Sequence, residues 1–86
     1  GSDCEIEEFQ ITDDLEKLNK FSIKSEDNFD LTKLGGAQLL ATKVSGILKA
    51  NPKDEVILSP NMILIFLGSI EQLERIRVEF RDVLKN

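Results

Sequence analysis

The sequence predicts an α+β fold in which about three helices pack on one face of a small three-stranded antiparallel sheet. Two helical apolar stripes and a strongly apolar segment between them lead to this prediction. The predicted order of elements is β-α-α-β-β-α. With 86 residues, 41% of them hydrophobic and 31% charged, the chain has the size and composition of one small globular domain.

The final helix is the most clearly marked element, and it is predicted over residues 69–85. Its apolar residues recur at steps of three and four and therefore share one face: Ile70, Leu73, Ile76, Phe80, Val83 and Leu84. Ser69, followed three residues later by Gln72, forms a capping-box pattern that satisfies backbone N–H groups of the first turn. Val78 lies nearly opposite the stripe, so we predict that it is exposed and a candidate contact for a partner.

Two apolar segments before this helix flank Pro60 and Asn61, a pair that suits the centre of a turn. They predict a β-hairpin with strands at 55–59 and 62–67. The alternative is a buried helix over 62–67, because a short apolar run carries no periodicity that separates the two. A strand that is apolar on both faces must be covered on both sides. We therefore list its candidate interaction residues as Met62, Leu64 and Phe66.

The second apolar stripe predicts a long helix over about 31–50, which ends where Pro52 cannot continue it. Its members are Leu34, Ala37, Leu40, Ala41, Val44, Ile47 and Leu48. Gly46 would then be an interior glycine that costs about 1 kcal/mol of helix propensity relative to Ala. The predicted core combines the stripes with the hairpin: Leu40, Val44, Ile47, Ile57, Ile63, Ile65, Leu73, Ile76 and Phe80.

The first third of the chain is acidic and more weakly patterned. Residues 1–30 contain ten acidic residues and three lysines, a balance of −7, whereas residues 31–86 have a balance of +2. We predict a strand over about 4–11 with a bulge at Glu7-Glu8, followed by a short helix over 13–20 capped by Asp13.

The domain organisation follows from these elements. Residues 1–2 resemble the remnant of a cleaved purification tag. Residues 3–30 form the acidic segment with its strand and short helix, and residues 31–86 form a helix-hairpin-helix core. We expect the two parts to belong to one domain.

No set of residues typical of an enzyme is present in the sequence. There is no His to act as a base beside Cys4 or a Ser, no phosphate-binding glycine loop and no zinc-ligand spacing. We expect no enzymatic activity, no cofactor, no metal and no small-molecule substrate. The longest apolar run, residues 62–67, is too short to span a bilayer, and we expect an intracellular protein of the cytoplasm or nucleus.

The predicted order of elements resembles that of a type I KH domain. The segment from Ile63 to Leu73, with Gly68-Ser69 at the corner and Glu71 early in the helix, is similar to the last strand and helix of that family. The resemblance implies three strands covered by three helices and, in members that bind RNA, a GxxG loop that holds a single strand. The corresponding stretch here is Lys33-Leu34-Gly35-Gly36, which lacks the first glycine.

We therefore predict a KH-like, non-catalytic module for protein–protein interaction or assembly, with a protein partner or self-association. The alternatives are a weak single-stranded RNA-binding KH domain and a dimerisation or adaptor α/β domain of another family. A net charge of −5 and the absence of Tyr and Trp make RNA binding weak. The candidate residues for contact with RNA are Lys33, Gly35, Gly36 and Lys43.

Overall fold

The computed structural model describes residues 4–24, 36–52 and 56–85. These residues form β1 (Cys4–Gln10), α1 (Leu15–Lys24), β2 (Gln38–Val44), β3 (Ile47–Ala50), β4 (Ile63–Ser69) and α2 (Ile70–Glu79). All pairings in the sheet are antiparallel, in the order β1-β4-β2-β3. The α+β class is confirmed. The prediction of three strands, about three helices and the order β-α-α-β-β-α is wrong, because the described residues contain four strands and two helices.

The largest correction concerns the helix predicted over 31–50. Its residues 38–50 form a β-hairpin instead, and residues 31–35 lie outside the described residues. Ser45 and Gly46 make the two-residue turn with φ of 51° and 79°. Positive φ at both turn positions gives the type I′ geometry, whose twist matches that of the flanking strands. The predicted helix-hairpin-helix core of residues 31–86 is therefore wrong as well.

A β-bulge explains why the apolar residues of this hairpin have a spacing that is typical of a helix. The register between β2 and β4 shifts between Leu39 and Ala41, so one extra residue interrupts the alternation of faces. As a result, the buried side chains Leu39 and Thr42 are three positions apart, and their exposures are 4% and 5%. Spacing of three and four residues is the signature of a helix, and the extra residue produces it in a strand.

β4 is the central strand and has no edge left for the predicted hairpin partner. It pairs with β1 on one side and with β2 on the other. Residues 56–59 accordingly have no regular secondary structure, and residue 55 lies outside the described residues, so the predicted strand at 55–59 is wrong. The turn is confirmed: the Met62 N–H donates to the Ser59 carbonyl at 3.2 Å, and Asn61 has a φ of 61°. This φ fits the third position of a type II turn.

α2 begins as the sequence predicts and ends earlier. The Ser69 Oγ accepts from the Gln72 N–H at 3.1 Å, and the Gln72 Oε1 accepts from the Ser69 N–H at 2.9 Å. The helix ends at Glu79, not at residue 85. The chain then turns and pairs with the end of β1, where the Lys85 N–H donates to the Gln10 carbonyl at 2.8 Å.

The first third follows the predicted order of elements, with two local differences. The ladder between β1 and β4 runs without interruption, so the predicted bulge at Glu7-Glu8 is absent from it. The cap of α1 is Asp14, not Asp13, because its Oδ1 accepts from the backbone N–H groups of Glu16 and Lys17.

The core lies between one face of the sheet and the two helices. It consists of Phe9, Ile11, Leu18, Ala37, Leu39, Met62, Leu64, Phe66, Leu73, Ile76, Phe80 and Val83. Of the predicted core, Leu73, Ile76 and Phe80 are confirmed. Leu40, Val44, Ile63 and Ile65 are only half-buried, and Ile47 and Ile57 are exposed. The prediction assigned the wrong face of β4 to the core. A strand that is apolar on both faces lacks the alternation of apolar and polar residues that would identify the inner face.

Candidate functional site

A groove of about 970 Å³ lies beside β3, on the same side of the sheet as the helices. β3 contributes Ile47 and Lys49 to the lining, and the segment before the turn contributes Val56, Ile57 and Ser59. The buried residues Thr42 and Met62 lie at its inner end. The groove is therefore mainly apolar, with a few polar groups placed along it.

The position of β3 explains why this groove is open. α2 packs over β4 and β1, and β3 lies at the far side of the sheet. Alternation along β3 places Ile47 and Lys49 on the helix side, yet all four residues of the strand are exposed. Ile47 retains 65% and Ile57 retains 78% of its accessible surface. Two large apolar side chains thus border the groove without being buried in the core.

The outer edge of β3 offers backbone hydrogen-bonding groups. The Asn51 N–H donates to the Leu40 carbonyl at 2.7 Å, so Asn51 points towards β2. In an antiparallel ladder the inward and outward residues alternate. Leu48 and Ala50 therefore direct their N–H and carbonyl groups away from the sheet. An added strand could pair with them.

Polar groups at this end of the sheet lack partners within the described part of the chain. Lys43 and Lys49 form no ion pair with another described residue. The Ser59 Oγ is buried and has no hydrogen-bond partner among the residues of 4–24, 36–52 and 56–85. A buried hydroxyl without a partner costs free energy, so a ligand group that bonds to it is favoured.

The opposite edge of the sheet differs in its electrostatics. Arg77 of α2 donates to the Glu7 carboxylate and to Glu74, and its guanidinium lies 5.3 Å from the centre of the Phe9 ring. The hydrogen bond to Glu7 is the main cause that raises the pKa of Arg77. At this edge Glu7 has a partner within the chain, and Arg77 links it to Glu74 and to the Phe9 ring.

The predicted interaction residues fall in different places. Met62, Leu64 and Phe66 are buried at 5%, 0% and 0% exposure, and only Met62 lines the groove. Val78 is 55% exposed on α2. The groove residues Ile47 and Ile57 were instead predicted to lie in the core. The dipeptide Ser45-Gly46 is the signal that could have revealed the hairpin and its exposed edge.

The candidate RNA contacts do not converge within the described residues. Lys33 and Gly35 lie outside them. A Cβ on Gly36 would lie 3.0 Å from Gln72 Nε2, which places Gly36 beside the start of α2. Lys43 lies near the other end of β2, about 17 Å from Gln38 at the rise of an extended strand.

No group of three or more His, Cys, Asp or Glu side chains among the described residues is placed to hold a metal ion. Cys4 is exposed. Neither α1 nor α2 is long and apolar enough to cross a membrane. The observed order β-α-β-β-β-α also differs from the order on which the KH resemblance depends.

No protein-family model matches the chain, and no curated protein matches it significantly in sequence.

Proposed function

We propose that this chain is a non-catalytic protein-interaction module that binds an extended segment of a partner protein along β3 and the adjoining groove. The observation that carries the proposal is the combination of a strand edge that no described segment pairs with and exposed apolar side chains beside it. Ile47 and Ile57 mark the groove, and Leu48 and Ala50 supply the outward backbone groups.

The binding mode is the addition of a strand to the edge of a sheet. Backbone hydrogen bonds with Leu48 and Ala50 supply affinity and set the register. Every second side chain of the bound segment then points to the helix side, where the groove lies. Apolar residues at those positions would cover Ile47 and Val56, which favours a partner segment of alternating apolar and polar residues.

The polar groups of the groove refine the kind of segment expected. Lys49 offers an ammonium group to a carboxylate of the segment. The ion pair is exposed and worth at most about 1 kcal/mol, so apolar contact and backbone pairing supply most of the affinity.

The experiment uses a displayed library of eight-residue peptides that alternate apolar and random residues. Peptides selected on the wild-type protein are labelled and titrated by fluorescence anisotropy. Ala50→Pro removes one outward N–H and places a ring in the path of the added strand. We expect it to weaken binding at least tenfold, because one net hydrogen bond is worth about 1 kcal/mol and the ring adds a steric clash.

The matched control is Ile6→Pro. The Ile11 N–H donates to the Met62 carbonyl, so alternation along β1 makes Ile6 an outward residue at the opposite edge of the sheet. Both variants are checked for folding by circular dichroism. Equal binding by wild-type protein and Ala50→Pro, or equal losses in the two proline variants, contradicts the proposal.

Labelled single-stranded RNA in the same assay tests the other class of partner. We expect binding no tighter than about 10⁻⁴ M at physiological salt, the weak end of non-specific binding. Low-micromolar RNA binding that Lys43→Glu abolishes would favour a nucleic-acid function over the protein-binding one.

A further inference from the structure

The sheet has a second face, turned away from the helices, and an apolar stripe runs along it. Ile63, Ile65 and Leu67 of β4 point to this face and are only half-buried, whereas the intervening Leu64 and Phe66 are at 0% exposure in the core. We call this surface the open face. Ile6 of β1 and Leu48 of β3 extend it, with 65% and 59% of their surface exposed. None of the described segments packs over this stripe.

Opposite charges flank the stripe. Glu8 of β1 is paired in register with Ile65, and Lys43 of β2 is paired in register with Ile63. Directly opposed residues share a face, so both charges lie on the open face, on opposite sides of β4. Neither forms an ion pair with another described residue. The surface is therefore acidic on one side, apolar along its centre and basic on the other side.

We propose that the open face binds a second copy of this chain, sheet against sheet, about a two-fold axis that runs along β4. Rotation about this axis places the β4 stripe against its own counterpart. It also places β1 over β2 of the second copy, so that Glu8 and Lys43 face each other diagonally, about 7 Å apart along the strand direction, twice in the dimer. Sheets that pack face to face keep their strands within about 30° of each other, which this axis permits.

Charge selects this arrangement over the other two-fold arrangement of the same surfaces. An axis across the strands at the level of Leu64 would place β1 over β1, with Glu8 about 7 Å along the strand from the second Glu8 and Lys43 equally far from the second Lys43. Like charges brought together at an interface disfavour association. Burial of the two apolar stripes supplies the driving force in both arrangements, so the charges decide the orientation. This proposal is independent of the β3 groove, which lies on the other face.

The test is the oligomeric state of charge-reversed variants, measured by analytical ultracentrifugation over a range of concentrations up to about 200 μM. We expect the wild-type chain to dimerise. Lys43→Glu and Glu8→Lys should each weaken the dimer at least tenfold, because each creates two like-charge contacts. The double variant Glu8→Lys, Lys43→Glu restores opposite charges and should dimerise with an affinity close to that of the wild type.

Lys49→Glu is the matched control, because it makes the same change of net charge on the neighbouring strand but on the groove face. It should leave dimerisation unchanged. The proposal is overturned if the wild-type chain is monomeric throughout the concentration range, if Lys43→Glu and Lys49→Glu have equal effects, or if the double variant dimerises no better than the single reversals.

Discussion

The two edge strands of the sheet are built in opposite ways. β1 is seven residues long, contributes Phe9 to the core and has its end paired with the chain that follows α2. β3 is four residues long, contributes no core residue and, of the described strands, pairs with β2 alone. Exposed strand edges attract other strands, and proteins usually protect them with charge or cover. The β1 edge has both forms of protection, whereas the described residues protect β3 by no more than its short length and Lys49.

The contrast extends to the charges. β1 contains three glutamates, and Arg77 pairs with Glu7 while lying against Phe9. Residues 36–52, which include β2 and β3, contain no acidic residue. Among the described residues, the β1 side is thus closed by the contacts of Arg77 and of the chain after α2, whereas the lysines of the β3 side form no ion pair and its apolar side chains are exposed. We infer that β1 contributes more to stability than β3, which is the edge to which the proposed function assigns the bound segment.

The largest expected effect compares a core residue of one edge strand with an apolar residue of the other. Phe9 is 3% exposed and packs edge-on against Phe66, with ring centres 6.0 Å apart. Phe9→Ala should lower the free energy of unfolding by about 3–5 kcal/mol in urea denaturation. Ile47→Ala should lower it by less than about 1 kcal/mol, because the side chain is already exposed.

Equal losses of unfolding free energy in Phe9→Ala and Ile47→Ala would contradict the inference that β1 contributes more to stability than β3. Phe80→Ala, at the C-cap of α2, provides a reference for a fully buried phenylalanine and should also cost about 3–5 kcal/mol.

An intermediate effect is expected at the turn that creates β3. Gly46 has a φ of 79°, and a Cβ added there would meet no atom within 4 Å. Gly46→Ala should therefore cost about 1–2 kcal/mol through backbone strain alone. Hydrogen exchange locates the loss: the amides of Lys49 and Asn51 should exchange faster through local opening, while that of Ile11 changes only with global stability.

Ser45→Gly serves as the control for the turn. Because glycine adopts positive φ freely, this change should leave the exchange of Lys49 nearly unaltered. Uniform acceleration of exchange in Gly46→Ala, at Ile11 as much as at Lys49, would mean that β3 does not open separately from the rest of the sheet.

The smallest effect is expected at the ion pair of the closed edge. The side chains of Arg77 and Glu7 retain 47% and 33% of their accessible surface, so solvent screens much of their attraction. Glu7→Gln should destabilise the protein by less than about 1 kcal/mol in thermal denaturation. Glu74→Gln, which removes the more exposed partner of Arg77, should cost still less. A loss above 2 kcal/mol for Glu7→Gln would assign this pair a much larger role at the β1 edge.

Local signals in the sequence were sufficient for some elements. The Ser69 and Gln72 capping box and the spacing of Leu73, Ile76 and Phe80 identify the start and inner face of α2, because both depend on residues within one or two turns. The strands β1 and β4 and the turn at Pro60 were also recognised. Each of these features is determined by residues that are close together in the chain.

The candidate site was not predictable in the same way. Its residues Ile47 and Ile57 were assigned to the core, because their apolar character gives no information on whether a helix covers them. The bulge between Leu39 and Ala41 gives β2 a spacing of apolar residues that is typical of a helix. The Ser45-Gly46 dipeptide is the local signal that favours a hairpin over a helix.

The sequence by itself determined the α+β class, the position of α2 and the apolar character of β4 on both faces. Only the tertiary structure decided which face of β4 is covered and which edge strand is left open. The physical reason is that both decisions depend on neighbours distant in sequence. β1 and β2 occupy the two edges of β4, and the chain after α2 returns to close β1. Pairings between segments that are distant in sequence produce no periodic pattern of apolar residues in either segment.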